Sequence, residues 1–84
     1  MEKNKVYWAS RRGMLELDLV LMPFAEKQYE GLSDEDKNRY QHLLSQEDQD
    51  LFAWFLGRQQ PTDPEIKIIV DKVLAYAGTK TDKL

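Results

Sequence analysis

The stretch Arg11-Arg12-Gly13-Met14-Leu15-Glu16 gathers two guanidinium groups, a backbone position without a side chain and a carboxylate. Guanidinium groups take carboxylates or phosphates through paired N–H donors, and a glycine lets another backbone approach closely. A carboxylate beside an arginine can also act as acid or base, but that chemistry needs a partner and a pocket. Nothing else in the chain supplies either, so no catalytic residue is assigned. From spacing alone, an architectural account of the same stretch is favoured. Cations complement the negative end of one helix, glycine turns the chain, and Glu16 falls at the third position of the next helix if Gly13 is its N-cap. Against that account stand the second arginine, which exceeds what a helix end needs, and the bare glycine.

The other polar groups offer less. Asp34, Glu35 and Asp36 cluster, as do Glu47, Asp48 and Asp50. Both clusters fall where helix starts are expected, and acids there complement the dipole on a solvated surface. Neither has the alternating ligands, central glycine and distal glutamate of a calcium loop. His42 is the one histidine and the chain has no cysteine, so no metal site is assigned. Glycines at 13, 31, 57 and 78 are too scattered for a phosphate loop. Phe52, Trp54 and Phe55, at helical spacing, read as core. Trp8 sits on a short edge helix and is open between core packing and an interface.

The elements that must position the corner are all helical. Glycine and proline divide the chain into about five short helices with no sheet, a compact bundle in one domain over 5–78, with flexible ends at 1–4 and 79–84. The first helix spans roughly Lys5 to Arg11 and ends at Gly13. The second runs from near Met14 to about Tyr29, kinked at Pro23 by the missing N–H and the clash with the carbonyl of Leu19. Its apolar positions, Leu15, Leu17, Leu19, Val20, Leu21, Met22 and Phe24, cover too much circumference for a surface helix, which places it centrally. Ser33 caps a third helix that turns Tyr40, Leu43 and Leu44 inward. Ser45 caps or nearly caps a fourth, which carries Leu51 to Leu56 and stops at Gly57. Thr62 and Glu65 have capping-box spacing, with Pro64 in the first turn of a fifth helix that buries Ile66, Ile69, Val70, Val73 and Ala77 and ends at Gly78.

A net charge of −3 opposes nucleic-acid binding, which depends on Lys and Arg neutralising phosphates. No apolar run approaches the ~20 residues of a membrane span, and Met1-Glu2-Lys3-Asn4-Lys5 has no apolar signal core. A cytoplasmic protein, by default a monomer, is expected.

Tyr7-Trp8, Arg11-Arg12-Gly13-Met14 and Glu16-Leu17-Asp18 resemble the signature of the SdhE family, called succinate dehydrogenase assembly factor 2 in mitochondria. That family's Arg-Gly-x-x-Glu motif is matched by Arg12, Gly13 and Glu16. The likeness continues through Met22-Pro23-Phe24, Leu32-Ser33-Asp34, Leu43-Leu44 and Asp50-Leu51-Phe52 to Trp54, in matching order over roughly residues 5 to 75. The resemblance implies a five-helix fold and a role in flavinylation, the covalent joining of FAD to a histidine of the succinate dehydrogenase flavoprotein and of the related fumarate reductase. FAD would belong to the client, with no cofactor held stably by this chain. Arg12, Gly13 and Glu16 would lie on the surface that meets the client, with Arg11 and Trp8 beside them, and Arg12 would fork onto a client carboxylate or a flavin oxygen. The alternative kept beside this reading is an antitoxin-like or adaptor protein that regulates a different bacterial partner.

Overall fold

Local signals start and stop most of the helices. A computed structural model of the chain describes residues 3–81, with side chains from Asn4 to Gly78. Those residues form five α-helices, one 3-10 turn and no strand: α1 (Lys3–Ala9), α2 (Leu15–Lys27), the 3-10 turn Tyr29–Gly31, α3 (Asp34–Leu44), α4 (Asp48–Phe55) and α5 (Pro64–Thr81). This is the all-α bundle expected.

Ser33 caps α3 by accepting the Asp36 N–H at 3.1 Å. Gly57, at φ +72°, closes α4: Arg58 N–H donates to the Ala53 carbonyl at 2.8 Å and Gly57 N–H to the Trp54 carbonyl at 3.2 Å, the paired bonds of a Schellman ending. Other boundaries moved. α1 starts and ends two residues earlier than expected; at its end the chain leaves the helix at Ser10, whose buried hydroxyl donates to the Val6 carbonyl at 2.8 Å. Gly13 is not the N-cap of α2; Met14 holds that position without a side-chain bond. Ser45 caps no helix start. It ends α3, its hydroxyl donating to the His42 carbonyl at 2.6 Å, and Glu47 precedes α4. At α5 the cap is Asp63, which accepts the Glu65 N–H at 2.8 Å, and not Thr62. Gly78 does not end α5, which continues to Thr81. The flexible ends expected at 1–4 and 79–84 are in part helical backbone, at 3–4 and 79–81; residues 1–2 and 82–84 lie outside the described residues.

α2 is central, packing on α1, α4 and α5, while α3 and α5 form the most extensive helix pair. It runs through Pro23 without a break. The core combines Val6, Leu17, Leu21, Phe24, Tyr29, Tyr40, Leu43, Leu51, Phe55, Ile66, Ile69, Val70 and Val73. Leu44, Phe52, Trp54 and Ala77 are only half-buried.

One polar link crosses this core. The Tyr40 hydroxyl, fully buried, lies 2.6 Å from Ser10 Oγ and 3.3 Å from the Leu21 carbonyl, tying α3 to the end of α1 and to α2. With the Ser10 proton committed to Val6, the Tyr40 proton is shared between the other two acceptors. Burial pushes the Tyr40 phenol up to about 12. Its folded-state pKa is raised, so its contribution to stability is intact below the ordinary value of 10.0 and is lost as pH climbs towards about 12. Tyr40→Phe should cost about 1 kcal/mol at neutral pH and flatten the alkaline limb of the unfolding curve, as urea titrations across that pH range would show.

Candidate docking site at the α1–α2 corner

The corner is built from outside the helices that flank it. Arg12 projects back across the fold, and its side chain is only 14% exposed. Its Nε–H donates to Asp48 Oδ1 at 2.8 Å. Nη1 donates to the Ala9 carbonyl at 3.1 Å, and Nη2 to the carbonyls of Leu44 and Gln46 at 3.0 and 2.9 Å. The side chain thus closes the C-terminal ends of α1 and α3 and pairs with the first residue of α4. From the other side, Asp18 of α2 accepts the Arg12 backbone N–H at 2.8 Å. Every element that meets at the corner is joined through this one residue.

Next to it, Gly13 adopts φ +78°, a left-handed conformation in which a side chain is strained. A Cβ placed there would meet nothing within 4 Å, so the space above the turn is open. Arg11 and Glu16 are exposed on either side, and neither side chain has a partner among the described residues. Trp8 is 62% exposed and meets Tyr7 edge-to-face at 5.3 Å. Leu15 and Leu19 are 69% and 65% exposed. They stand one helical turn apart on α2, opposite the buried Leu17, Leu21 and Phe24. A single exposed leucine is ordinary; a tryptophan and two leucines left uncovered on the two helices that flank a bare turn are more apolar exposure than chance surface residues require, which makes the corner a candidate binding surface.

These positions revise one expectation, settle the exposure of Trp8 that the sequence leaves open, and bear on the role of Arg12. The surplus apolar residues of α2 do not signal burial on all sides; Leu15 and Leu19 face solvent. Trp8 is outside the core. In the isolated chain the Arg12 donors are engaged: its own chain occupies Nε–H, both Nη2–H and one Nη1–H, leaving no adjacent pair for an external carboxylate. Sequence reasoning missed Leu15, Leu19 and Asp48. The first two could have been found from the excess of apolar positions around α2. Asp48 could not, because its pairing with Arg12 spans 36 residues.

His42 is exposed, 3.3 Å from Asp63 Oδ2. No group of acidic, histidine or cysteine side chains among the described residues could hold a metal ion. Asp36 departs from the solvated acidic surface expected of its cluster. It is buried, and it binds Arg39 Nη1 at 2.7 Å and Lys72 Nζ, clamping α3 to α5. No helix among the described residues is long and apolar enough to cross a membrane.

Comparison with known proteins converges on one family. The profile of the family described as Sdh5, flavinator of succinate dehydrogenase, matches residues 4–77. A Shewanella oneidensis protein named FAD assembly factor SdhE is 51% identical over 78 residues, covering 93% of this chain and 95% of that protein. Its namesake in Pseudomonas putida is 49% identical over 76 residues, covering 86% of this chain and 90% of its own. A UPF0350 protein determined in solution superposes with a TM-score of 0.75 at 39% identity, covering 95% of this chain and 85% of the solved one.

Proposed function

Because the chain belongs to the Sdh5 family of succinate dehydrogenase flavinators, we propose that it promotes covalent attachment of FAD by docking its α1–α2 corner on the succinate dehydrogenase flavoprotein. The observation that supports this surface is the exposure of Trp8, Leu15 and Leu19 around a bare, left-handed Gly13. The adaptor or antitoxin reading is not favoured by this family membership.

The reacting histidine and the FAD both belong to the client. The factor contributes binding energy, with no catalytic group of its own. A partner that binds one client conformation better than another shifts the population towards it by that difference in affinity, and aligning two reacting groups lowers a barrier without any added acid or base. Trp8 supplies a rigid aromatic anchor, the residue type that most often dominates such interfaces. Gly13 lets the client approach the backbone, while Glu16 and Arg11 set orientation by charge. The same surface serves the fumarate reductase flavoprotein. The chain acts as a cytoplasmic monomer and keeps no flavin for itself.

Covalent-flavin fluorescence of the dehydrogenase flavoprotein in a denaturing gel, with and without this chain, tests the reading. Trp8→Ala should weaken binding by about thirtyfold or more, as truncation of a central tryptophan does, and Leu15→Ser with Leu19→Ser should do the same without loss of stability. Ile68→Ser, which removes an exposed apolar residue of α5 away from the corner, should support flavinylation normally. Equal flavin incorporation by the native, Trp8 and Leu15/Leu19 chains would place the client contact elsewhere.

A further inference from the structure

We infer that Arg12 is a positioning residue, which presets the corner from within, and that Arg11 is the arginine that meets the client; the inference rests on the docking reading above. The two adjacent arginines have opposite surroundings. The Arg12 guanidinium is spent on Asp48 and on the carbonyls of Ala9, Leu44 and Gln46. Arg11 is exposed and its guanidinium has no partner among the described residues.

Leaving the arrangement seen would expose the carbonyls at two helix ends and leave Asp48 without its partner, all to gain one ion pair at an exposed rim. Exposed pairs contribute little, and unmade bonds to part-buried carbonyls cost more. Arg12 therefore stays where it is when a client arrives. What it gives the interface is order: the loop 10–14 is held from below by the guanidinium and from the side by Asp18. Gly13 then keeps its positive φ, and Trp8 and Leu15 keep their relative placement, before binding. A surface fixed in advance spends less of its interaction energy on ordering. Arg11, solvated and unpaired, is the charge free to steer a client, and such rim charges govern the salt dependence of association.

The sign of one substitution separates the two roles. If Arg12 met the client directly, Asp48 would compete for its guanidinium, and Asp48→Asn would leave binding unchanged or tighten it. On the positioning role Asp48→Asn loosens the corner and weakens binding. Titration of the full chain against the succinate dehydrogenase flavoprotein at several salt concentrations should give about a tenfold loss for Asp48→Asn and a similar loss for Arg12→Gln. The double variant, which conserves net charge, should be no worse than Arg12→Gln and should keep the native salt slope. Arg11→Gln should flatten that slope. Asp36→Asn, which lowers stability at the α3–α5 pair, should bind as the native chain does and so separates preorganisation from general loosening. Tighter binding by Asp48→Asn, a flattened slope in the double variant or a native slope in Arg11→Gln would overturn the inference while leaving the docking surface intact. Native binding by Gly13→Arg would instead remove the docking surface itself.

Discussion

Gly13→Arg should abolish support of flavinylation while leaving a folded helical chain, and a graded series at this position shows why. The backbone at Gly13 has φ +78°, which costs an L-residue about 1–2 kcal/mol. Steric clash adds nothing, since no atom lies within 4 Å of the Cβ position. Gly13→Asn, which tolerates the left-handed region, should be nearly native in stability. Gly13→Ala should lose about 1 kcal/mol, and Gly13→Arg little more. A small domain has roughly 0.05–0.15 kcal/mol of stability per residue, so all of these variants remain mostly folded. Client affinity should follow size and not stability. Ala is mildly weakened, Asn more so, and Arg by about a hundredfold or more, because its side chain stands in the space a client backbone would occupy. Circular dichroism and urea titration supply the stability scale, and titration against the flavoprotein supplies the affinity scale. If affinity tracked stability across the series, Gly13 would matter only as a turn residue.

As the proposed client surface, the corner unites two demands that ordinarily oppose each other. A client surface needs to be open, and an open loop is normally mobile. Here the opening is made by a glycine and by apolar side chains that point outward, while the Arg12 guanidinium ties the inner side to α1, α3 and α4. The buried Ser10–Tyr40 contact holds the end of α1 from the same direction. Trp8 and Leu15 can therefore stay uncovered without the segment between them becoming slack.

The fold was legible where a local signal acts alone. Ser33 starts α3, Gly57 ends α4 and Pro64 opens α5, each because one residue's chemistry settles a terminus. Errors arose where neighbours compete. Thr62 and Asp63 both fit a cap and the carboxylate took the position; Ser45 fitted a start and closed an end. Gly78 has the type that ends a helix, but α5 passes through it to Thr81. At the site, the motif residues Arg11, Arg12, Gly13 and Glu16 stand out by type and spacing, but the surroundings of each side chain do not. Whether a guanidinium faces solvent depends on Asp48 and on the carbonyls of Leu44 and Gln46, which the fold brings to Arg12 from more than 30 residues away. No local pattern carries that information. The surplus of leucines on α2 was visible, but periodicity alone cannot tell an extra buried face from an uncovered one.

Acid should open this molecule first at Asp36. The carboxylate is buried between α3 and α5, bound by Lys72 and by Arg39, whose Nε–H also donates to Glu65 at 2.8 Å. The hydrogen bonds from Lys72 and then Arg39 hold the Asp36 carboxyl below its ordinary value of 3.8, against the opposing effect of burial. A depressed folded-state pKa means that the stabilisation is complete above pH 3.8 and is lost as pH falls below it through the folded value. Asp63 is shifted in the same direction, chiefly by the Glu65 N–H, and adds to the slope. Asp36→Ala removes two charge-assisted bonds from the most extensive helix pair. Lys72 is half-exposed and can hydrate, and Arg39 keeps Glu65, so the cost is that of the bonds and not of a stranded buried charge: about 2–3 kcal/mol. For a chain of this size that lowers Tm by roughly 10 °C or more. Asp36→Asn keeps the shape and an acceptor and should lose about half as much. The decisive measurement is stability against pH: the native and Asn chains should differ most above pH 4 and converge as acid protonates Asp36, because the native carboxyl then becomes neutral too. Parallel curves down to the acid limit would show that the α3–α5 pair is held by Ile66, Ile69 and Val73 alone and that the buried carboxylate contributes nothing.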